Sequence, residues 1–376
     1  MYITVIDKRN TSTKYNIVDA LFDDVPMEEV TSIIRTKTYK RETCNVDTVP
    51  LGAMLVFCKH VQDIIKKHPD VESEYEQFKI PKKTHGFRTI NAPKPELKKD
   101  MKDIANALTE YLKIKTHDSA WAYTKSRDVV GAVQEHTKNK SKWFLKLDLH
   151  DFFGSCNPEF ITERLLDVYP FAAYKDNEEV VETVKALSKF ATLDNGLPQG
   201  TPLSPILTNI IMIPFDYNMN KKMYALANGH KIPKQPYVYT RYADDILISA
   251  YYDFDFNEVV NGVKDLLEGT PLQLNVEKTR YGSSAGRNWN LGVMCNKDNK
   301  ITIGYKRKQK LKATIHNYIN TRGTWELEDL RWLLGNLSWL RNVEPDYFIG
   351  LMNYCENKYN TDIWNTLIKD ITRYSN

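Results

Sequence analysis

Apolar residues recur along this chain with two periods, and the change from one to the other divides it. From Trp143 to Leu149 the period is two: Trp143, Leu145, Leu147 and Leu149 share one side, and Phe144, Lys146 and Asp148 the other. That spacing predicts a strand that buries one face and holds Asp148 on the opposite, polar one. Tyr237 to Ala250 is rich in strand formers on both sides of Ala243-Asp244-Asp245, which predicts a β-hairpin with two acids at its tip. Ile80 to Ile90 predicts strand, turn and strand, with many cations. After Pro93 and Pro95 the period becomes helical, with Leu97, Met101, Ile104, Ala105, Leu108 and Leu112 on one stripe. Gly196 to Pro202 is a loop by its Gly and Pro content, and Leu203, Ile206, Leu207, Ile210 and Ile211 predict the helix that follows it. Glu258 to Glu268 predicts an amphipathic helix closed by Gly269.

Strands and helices alternate to about residue 304, and beyond it the pattern is helical throughout. There Leu330, Leu333, Leu337 and Leu340 mark a buried stripe. Trp325, Trp332 and Trp339 recur every seven residues beside it and are expected to belong to the same core. The first part of the chain reads as mainly helical, with little chemistry in it, and no repeat or low-complexity tract interrupts the whole. The expected organisation is therefore an extension over 1–78, a mixed α+β unit over 79–300 with an antiparallel sheet packed on helices, and a helical unit over 301–376.

Charge changes the picture more by distribution than by total. The net charge of +4 is weak evidence for a polyanionic partner, but Lys306, Arg307, Lys308, Lys310 and Lys312 place five cations in seven positions. Such a run meets phosphates or is simply a solvated face. Lys138, Lys140 and Lys142 form a second, looser cluster. The five cysteines, at 44, 58, 156, 295 and 355, are scattered with no C-x-x-C pair, which argues against a disulfide framework or structural zinc and fits a reducing, cytoplasmic setting. No signal-like start or membrane-length apolar run is present, so a soluble protein is expected, with no membrane partner.

The candidate chemistry lies in three acids. Asp148 sits on the polar side of its strand, and Asp244 with Asp245 at a hairpin tip between Tyr242 and Ile246. Adjacent carboxylates repel, and a bound cation is the natural compensation. Two divalent ions held by two or three aspartates on rigid strands are what nucleotidyl transfer asks of a protein, because most of that chemistry is positioning and charge neutralisation. Taken alone, two acids at a turn are more often solvated turn residues.

They are not alone. Tyr242-Ala243-Asp244-Asp245 resembles the catalytic hairpin of reverse transcriptases, and Leu147-Asp148-Leu149-His150-Asp151-Phe152-Phe153 the first acidic motif of that family. Leu197-Pro198-Gln199-Gly200-Thr201-Pro202-Leu203-Ser204-Pro205 is similar to the family's pocket loop and helix. Asn275-Val276-Glu277-Lys278-Thr279 is similar to its lysine motif, and Leu291-Gly292-Val293 to its primer-grip hairpin. All five stand in the family's order between about residues 80 and 300, with a thumb-like segment after them. The resemblance implies a right-hand polymerase with fingers, palm and helical thumb, acting as an RNA-directed DNA polymerase.

It further implies roles. Asp148 and Asp244 would be the main ligands of two Mg²⁺ ions, replaceable by Mn²⁺, with Asp245 a third carboxylate and the Leu149 carbonyl an added oxygen. Phe153 would lie under the sugar and exclude a ribose 2′-hydroxyl, although strict alternation along the strand points to Phe152 instead. Gln199 and Gly200 would line the nucleotide pocket, and Lys82 (or Lys83) with Arg88 would hold the triphosphate. Lys278 would donate a proton to pyrophosphate. Lys306, Arg307, Lys308 and Lys310 would track the template–primer duplex. The implied partners are an RNA template, a DNA or RNA primer and deoxynucleoside triphosphates. The compact size points to the prokaryotic branch of retron, abortive-infection and defence-associated enzymes, with a dedicated non-coding RNA and an effector protein as further expected partners. Retron enzymes carry Asn-Ala-x-x-His where this chain has Gly131-Ala132-Val133-Gln134-Glu135-His136, and Val-Thr-Gly where it has Asn290-Leu291-Gly292-Val293. An RNA polymerase on the same palm, and a non-catalytic RNA-binding scaffold, are the rival readings. Phe153 opposes the first. Intact Asp148, Asp244, Asp245, Gln199 and Lys278 oppose the second.

Overall fold

The computed structural model describes residues 2–6, 12–16, 49–81, 86–228, 237–285, 288–296 and 298–374. Two strands, β1 (Tyr2–Ile6) and β2 (Ser12–Asn16), pair as an antiparallel hairpin. Helix α1 (Leu51–Lys67) follows, and its Met54, Phe57, Cys58, Val61 and Ile64 form one buried stripe at helical spacing. A two-stranded antiparallel ribbon comes next, β3 (Tyr75–Pro81) and β4 (Phe87–Pro93), its register running from Tyr75 opposite Pro93 to Pro81 opposite Phe87. The strand begins at Tyr75, ahead of the expected Ile80, because Glu76, Gln77 and Lys79 are exposed and leave no periodicity to read.

Helix α2 (Pro95–Asn106) starts at the proline that the sequence marks, and it ends in a π-turn over Ala107–Tyr111 that keeps Leu108 buried. Helix α3 (Val129–Lys138) is capped by Asp128, whose carboxylate accepts from Gly131 N. Strand β5 (Trp143–His150) then leads to α4 (Pro158–Leu166), α5 (Glu178–Ala191), α6 (Ser204–Ile211) and α7 (Ile213–Asn228). The expected hairpin is present as β6 (Val238–Tyr242) and β7 (Asp245–Ala250), and the expected amphipathic helix as α8 (Phe256–Leu267).

Five strands build the main sheet. β5 lies in the middle, with β7 and then β6 on one side. β8 (Gln273–Leu274) and β9 (Arg280–Ser283) share its other edge, all antiparallel. A small second sheet, β10 (Asn288–Asn290), β11 (Val293–Cys295) and β12 (Ile301–Thr302), precedes four helices. These are α9 (Tyr305–Asn320), α10 (Leu327–Val343), α11 (Pro345–Tyr359) and α12 (Ile363–Arg373).

The two faces of β5 bury into different cores. Leu145, Leu147 and Leu149 join a large cluster with α1, α2 and α4–α8. On the other face Phe144, with Leu247 of β7 and Val130 and Val133 of α3, joins the core of the C-terminal helices. The side of β5 that alternation marks as polar is thus covered at its start and open only toward the acidic end. Among the tryptophans expected as core, Trp325 and Trp339 pack against this second cluster but Trp332 is exposed. Trp325 precedes α10, so the seven-residue spacing does not put all three on one helix face. Among the described residues no helix is long and apolar enough to cross a membrane.

Candidate active site

The β5–β7 register sets Asp148 directly opposite Asp245, and opposed residues of an antiparallel pair share a face. Ala243 and Asp244 make the two-residue turn that joins β6 to β7, with Tyr242 opposite Asp245 across it. Leu149 N donates to the Asp244 carbonyl at 3.0 Å, so the turn is fastened over the end of β5. Asn275 N donates to the Asp148 carbonyl at 2.8 Å and brings the segment carrying Lys278 alongside. The three acids that the sequence separates by nearly a hundred residues thus meet at one sheet end.

Like charges placed opposite one another destabilise a sheet, and two lysines offset them here. Lys278 Nζ donates to Asp148 Oδ1 at 2.8 Å, and Lys146 Nζ lies 3.2 Å from Asp245 Oδ1. Among the described residues no ion pair reaches Asp244. Burial, then the charges of Asp245 and Asp148, push its carboxyl above the usual range. The Lys278 ammonium is held above its ordinary pKa, chiefly by its hydrogen bond to Asp148. As they stand, no three acidic, His or Cys side chains among the described residues form a closed metal cage. Mg²⁺ does not require one: it takes one or two carboxylates and completes its shell with substrate phosphates and water. Three hard-oxygen donors, two of them paired with cations that can swing away, fit that ion.

Beside the acids, Leu197 N donates to the Phe153 carbonyl at 2.9 Å and Asn91 N to the Gln199 carbonyl at 3.0 Å. The loop over 197–200 is therefore pinned between the end of the first acidic motif and β4. Gly200 has φ +116, and a Cβ there would stand 2.9 Å from Ile90 Cγ2 and 3.0 Å from the Asn91 carbonyl. Glycine is needed because the β4 backbone crowds it.

β5 ends at His150, and Asp151, at φ +39, breaks the alternation. Phe152 is then free to enter the large core at 3% exposure, while Phe153 stays half-buried, edge-on to Tyr123 at 6.5 Å. Alternation points to Phe152 as the exposed ring only when it is carried past the end of the strand.

The remaining expected residues divide. Lys82 and Lys83 lie outside the described residues, and of Arg88 only the backbone, opposite Ile80 on the ribbon, is described. In the basic run Lys306 and Lys310 are exposed, with Lys310 over the Trp332 ring at 5.1 Å. Lys308 is bound to Glu344, and Arg307 donates to the Gly292 carbonyl at 2.9 Å. Both cations thus have a partner within the protein, although Arg307 remains exposed and Lys308 is half-buried.

Sequence reasoning gave no role to Arg241 and Asp216, a fully buried ion pair beneath the acidic turn. A cation two positions before Ala243, inside an otherwise apolar strand, was the available signal. His136, buried between Ser249 at 2.6 Å and Thr240 at 2.8 Å, ties α3 to the hairpin; burial drives its pKa down to about 3, so it serves as a neutral strut.

A sheet that gathers three carboxylates, with a glycine loop at its side and a helical unit sharing its core, defines a polymerase palm. A family model described as reverse transcriptase (RNA-dependent DNA polymerase) matches residues 80–314, and the chain belongs to that family. It is an RNA-directed DNA polymerase, a nucleotidyltransferase with fingers, palm and helical thumb. The chain is similar to the retron Ec83 reverse transcriptase of Escherichia coli, 29% identical over 324 residues that cover 83% of this chain and 93% of the relative. It is 27% identical to the retron Ec73 enzyme of the same species, over 73% of this chain and 85% of that one. The retron Ec86 enzyme matches at 25%, over 73% and 78%. Solved telomerases of Candida tropicalis and Candida albicans match at 14% identity with TM-scores of 0.43 and 0.44, and this chain spans 60% and 63% of their lengths.

Proposed function

We propose that this chain is a retron-type reverse transcriptase that extends a primer on a dedicated non-coding RNA and serves antiviral defence with an effector protein, working in the cytoplasm of a prokaryote. The similarity to retron enzymes over most of both chains supports the branch. It weighs more than the departures at 131–136 and 290–293, which are two short segments against a similarity that extends over 324 residues.

The observation that carries the catalytic reading is the register of Asp148 opposite Asp245 with Asp244 in the adjoining turn. Asp148, Asp244 and Asp245, with the Leu149 carbonyl, would hold two Mg²⁺ ions. Such ions, when bound, supply the positive charge that activates the primer 3′-hydroxyl and neutralises the leaving pyrophosphate. Lys278 gives up its bond to Asp148 as the carboxylate is engaged, and the freed ammonium is the proton donor to pyrophosphate. Gln199 and Gly200 line the nucleotide site, Phe153 faces the sugar, and Lys82 with Arg88 holds the phosphates. The duplex runs along α9, on Lys306 and Lys310 above all, with Arg307 and Lys308 shaping that surface. Units 1–78, 79–300 and 301–376 act as extension, fingers with palm, and thumb.

Primer extension on an RNA template with mixed nucleotide pools tests the reading. Wild type is expected to select deoxynucleotides, and Phe153→Ala to lose that selection by roughly 10–100-fold with a smaller loss of deoxynucleotide addition. A wild type that prefers ribonucleotides would refute it. Sequencing the nucleic acid that co-purifies with the chain tests the partner RNA: one dedicated RNA with DNA copied from it is expected, and a random RNA population would remove the retron assignment.

A further inference from the structure

Under the acidic turn the Asp216 carboxylate of α7 is filled from two sides. Arg241 Nε donates to its Oδ1 at 2.8 Å and Nη2 to its Oδ2 at 2.7 Å, and the Tyr239 hydroxyl donates to Oδ1 at 2.5 Å. Both charged side chains have zero exposure. The fork geometry leaves Arg241 Nη1 pointing elsewhere: it donates to the Ala243 carbonyl at 3.2 Å and lies 3.4 Å from Asn209 Oδ1. Ala243 stands at φ +56, a left-handed conformation that disfavours a residue with a Cβ, in the turn that presents Asp244. Asn209, on α6, donates its amide to the Ala122 carbonyl at 2.7 Å. The next residue, Tyr123, meets Phe153 edge-on. The main chain closes the same circuit, since Arg241 N donates to Ser119 O at 2.7 Å and Trp121 N to Arg241 O at 2.8 Å.

A dry ion pair of this kind gains little stability over a well-packed apolar pair of the same volume. What an apolar pair cannot do is donate a hydrogen bond to a strained carbonyl. We propose that Arg241 is a positioning residue that fixes the Ala243–Asp244 turn for metal binding and, through Asn209 and Ala122, couples that turn to the Tyr123–Phe153 contact that selects the sugar. The proposal rests on the reading that Asp244 binds the metal and Phe153 faces the sugar. Groups that support metal ligands from behind typically change affinity by about 10–100-fold when removed.

The test uses full-length protein and Mn²⁺ as the probe, bound in the absence of nucleotide and followed by electron paramagnetic resonance. The double variant Asp216→Leu with Arg241→Met removes both charges together. It should fold, bind Mn²⁺ at least about tenfold more weakly, and discriminate less against ribonucleotides. Arg241→Lys keeps a charge opposite Asp216 but loses the fork, and should weaken Mn²⁺ in the same sense. Asn209→Ala leaves the turn supported, so Mn²⁺ affinity should hold while sugar discrimination falls. Wild-type Mn²⁺ affinity in whichever of the two Arg241 variants folds would overturn the positioning role, and unchanged discrimination in Asn209→Ala would overturn the coupling. Asp244→Asn serves as the control for the underlying site. If it binds Mn²⁺ as wild type does, the site reading itself fails. If it loses Mn²⁺ while the Arg241 variants do not, only the present proposal fails.

Discussion

The hairpin that carries the acids is charged at both its rim and its base, and the two are built differently. At the rim, Lys278 pairs with Asp148 and Lys146 with Asp245, with 61% of the Lys278 side chain and 30% of the Lys146 side chain exposed. At the base, Arg241 and Asp216 are wholly buried and hydrogen-bonded at nearly every polar atom. Exposed pairs are worth about 0–1 kcal/mol and exchange partners readily, whereas breaking a buried pair strands a charge. The same pairing chemistry therefore gives a placeholder at the rim and a fixed mount at the base, and the burial of the cation makes the difference.

The largest effect should come from the rim acid that has no lysine. Asp244→Asn should lower primer extension by roughly a thousandfold or more, yet its metal-free melting temperature at pH 7 should rise. The sign follows from its carboxyl being held above its ordinary pKa. Such a group favours the folded state at low pH and costs stability as pH climbs from about 3.9 through the folded value, a cost the amide avoids. Calorimetry in EDTA checks it, and a lower melting temperature for the variant would erase the contrast with the base. There, Asp216→Asn alone should destabilise by about 3–5 kcal/mol, read from urea denaturation; a change under about 1 kcal/mol would mean that this pair too is a placeholder.

Lys278→Met sharpens the rim from its other half. Stability should move by less than about 1 kcal/mol, while single-turnover nucleotide addition falls by about 10²-fold. A loss in template–primer affinity with normal chemistry would assign Lys278 to binding instead. The smallest effect belongs to the thumb, where the contrast recurs between Lys308, tied to Glu344, and the outward Lys306 and Lys310. Lys306→Ala with Lys310→Ala should flatten the log–log salt dependence of duplex binding by about 0.9 for each phosphate left without its cation. Lys308→Ala should leave the slope nearly unchanged. Equal slopes for both would return the run to a solvated face.

Periodicity carried the fold far. The β5 alternation, the acidic hairpin and the α2 and α6 stripes are all visible in the chain, because each sets a regular apolar row against the large core. It failed where an element ends or where neighbours outside the element decide. Asp151 stops β5 before Phe152, and Trp332 lies on α10 where Lys310, not the core, covers it. The three acids were legible because their motif is local, and Lys146 was placed on Asp148's side without a role. Arg241, Asp216 and Asn209 were not legible, since their meaning depends on a meeting of α6, α7 and β6 that no spacing encodes. The hydrogen bonds from Leu197 and Asn91 that pin the pocket loop are invisible for the same reason.

Phe144 and Leu247 sit on the two strands that present the acids, yet they are walls of the C-terminal helical core. Cutting the chain near residue 300 would thus leave an oily scar on the acid-bearing face of the sheet, with Val130 and Val133 beside it. Such a fragment should clump and bind hydrophobic dyes before it shows any loss of its own secondary structure. The helical unit and the sheet are, in engineering terms, one casting, and a minimal version of this enzyme has to keep both.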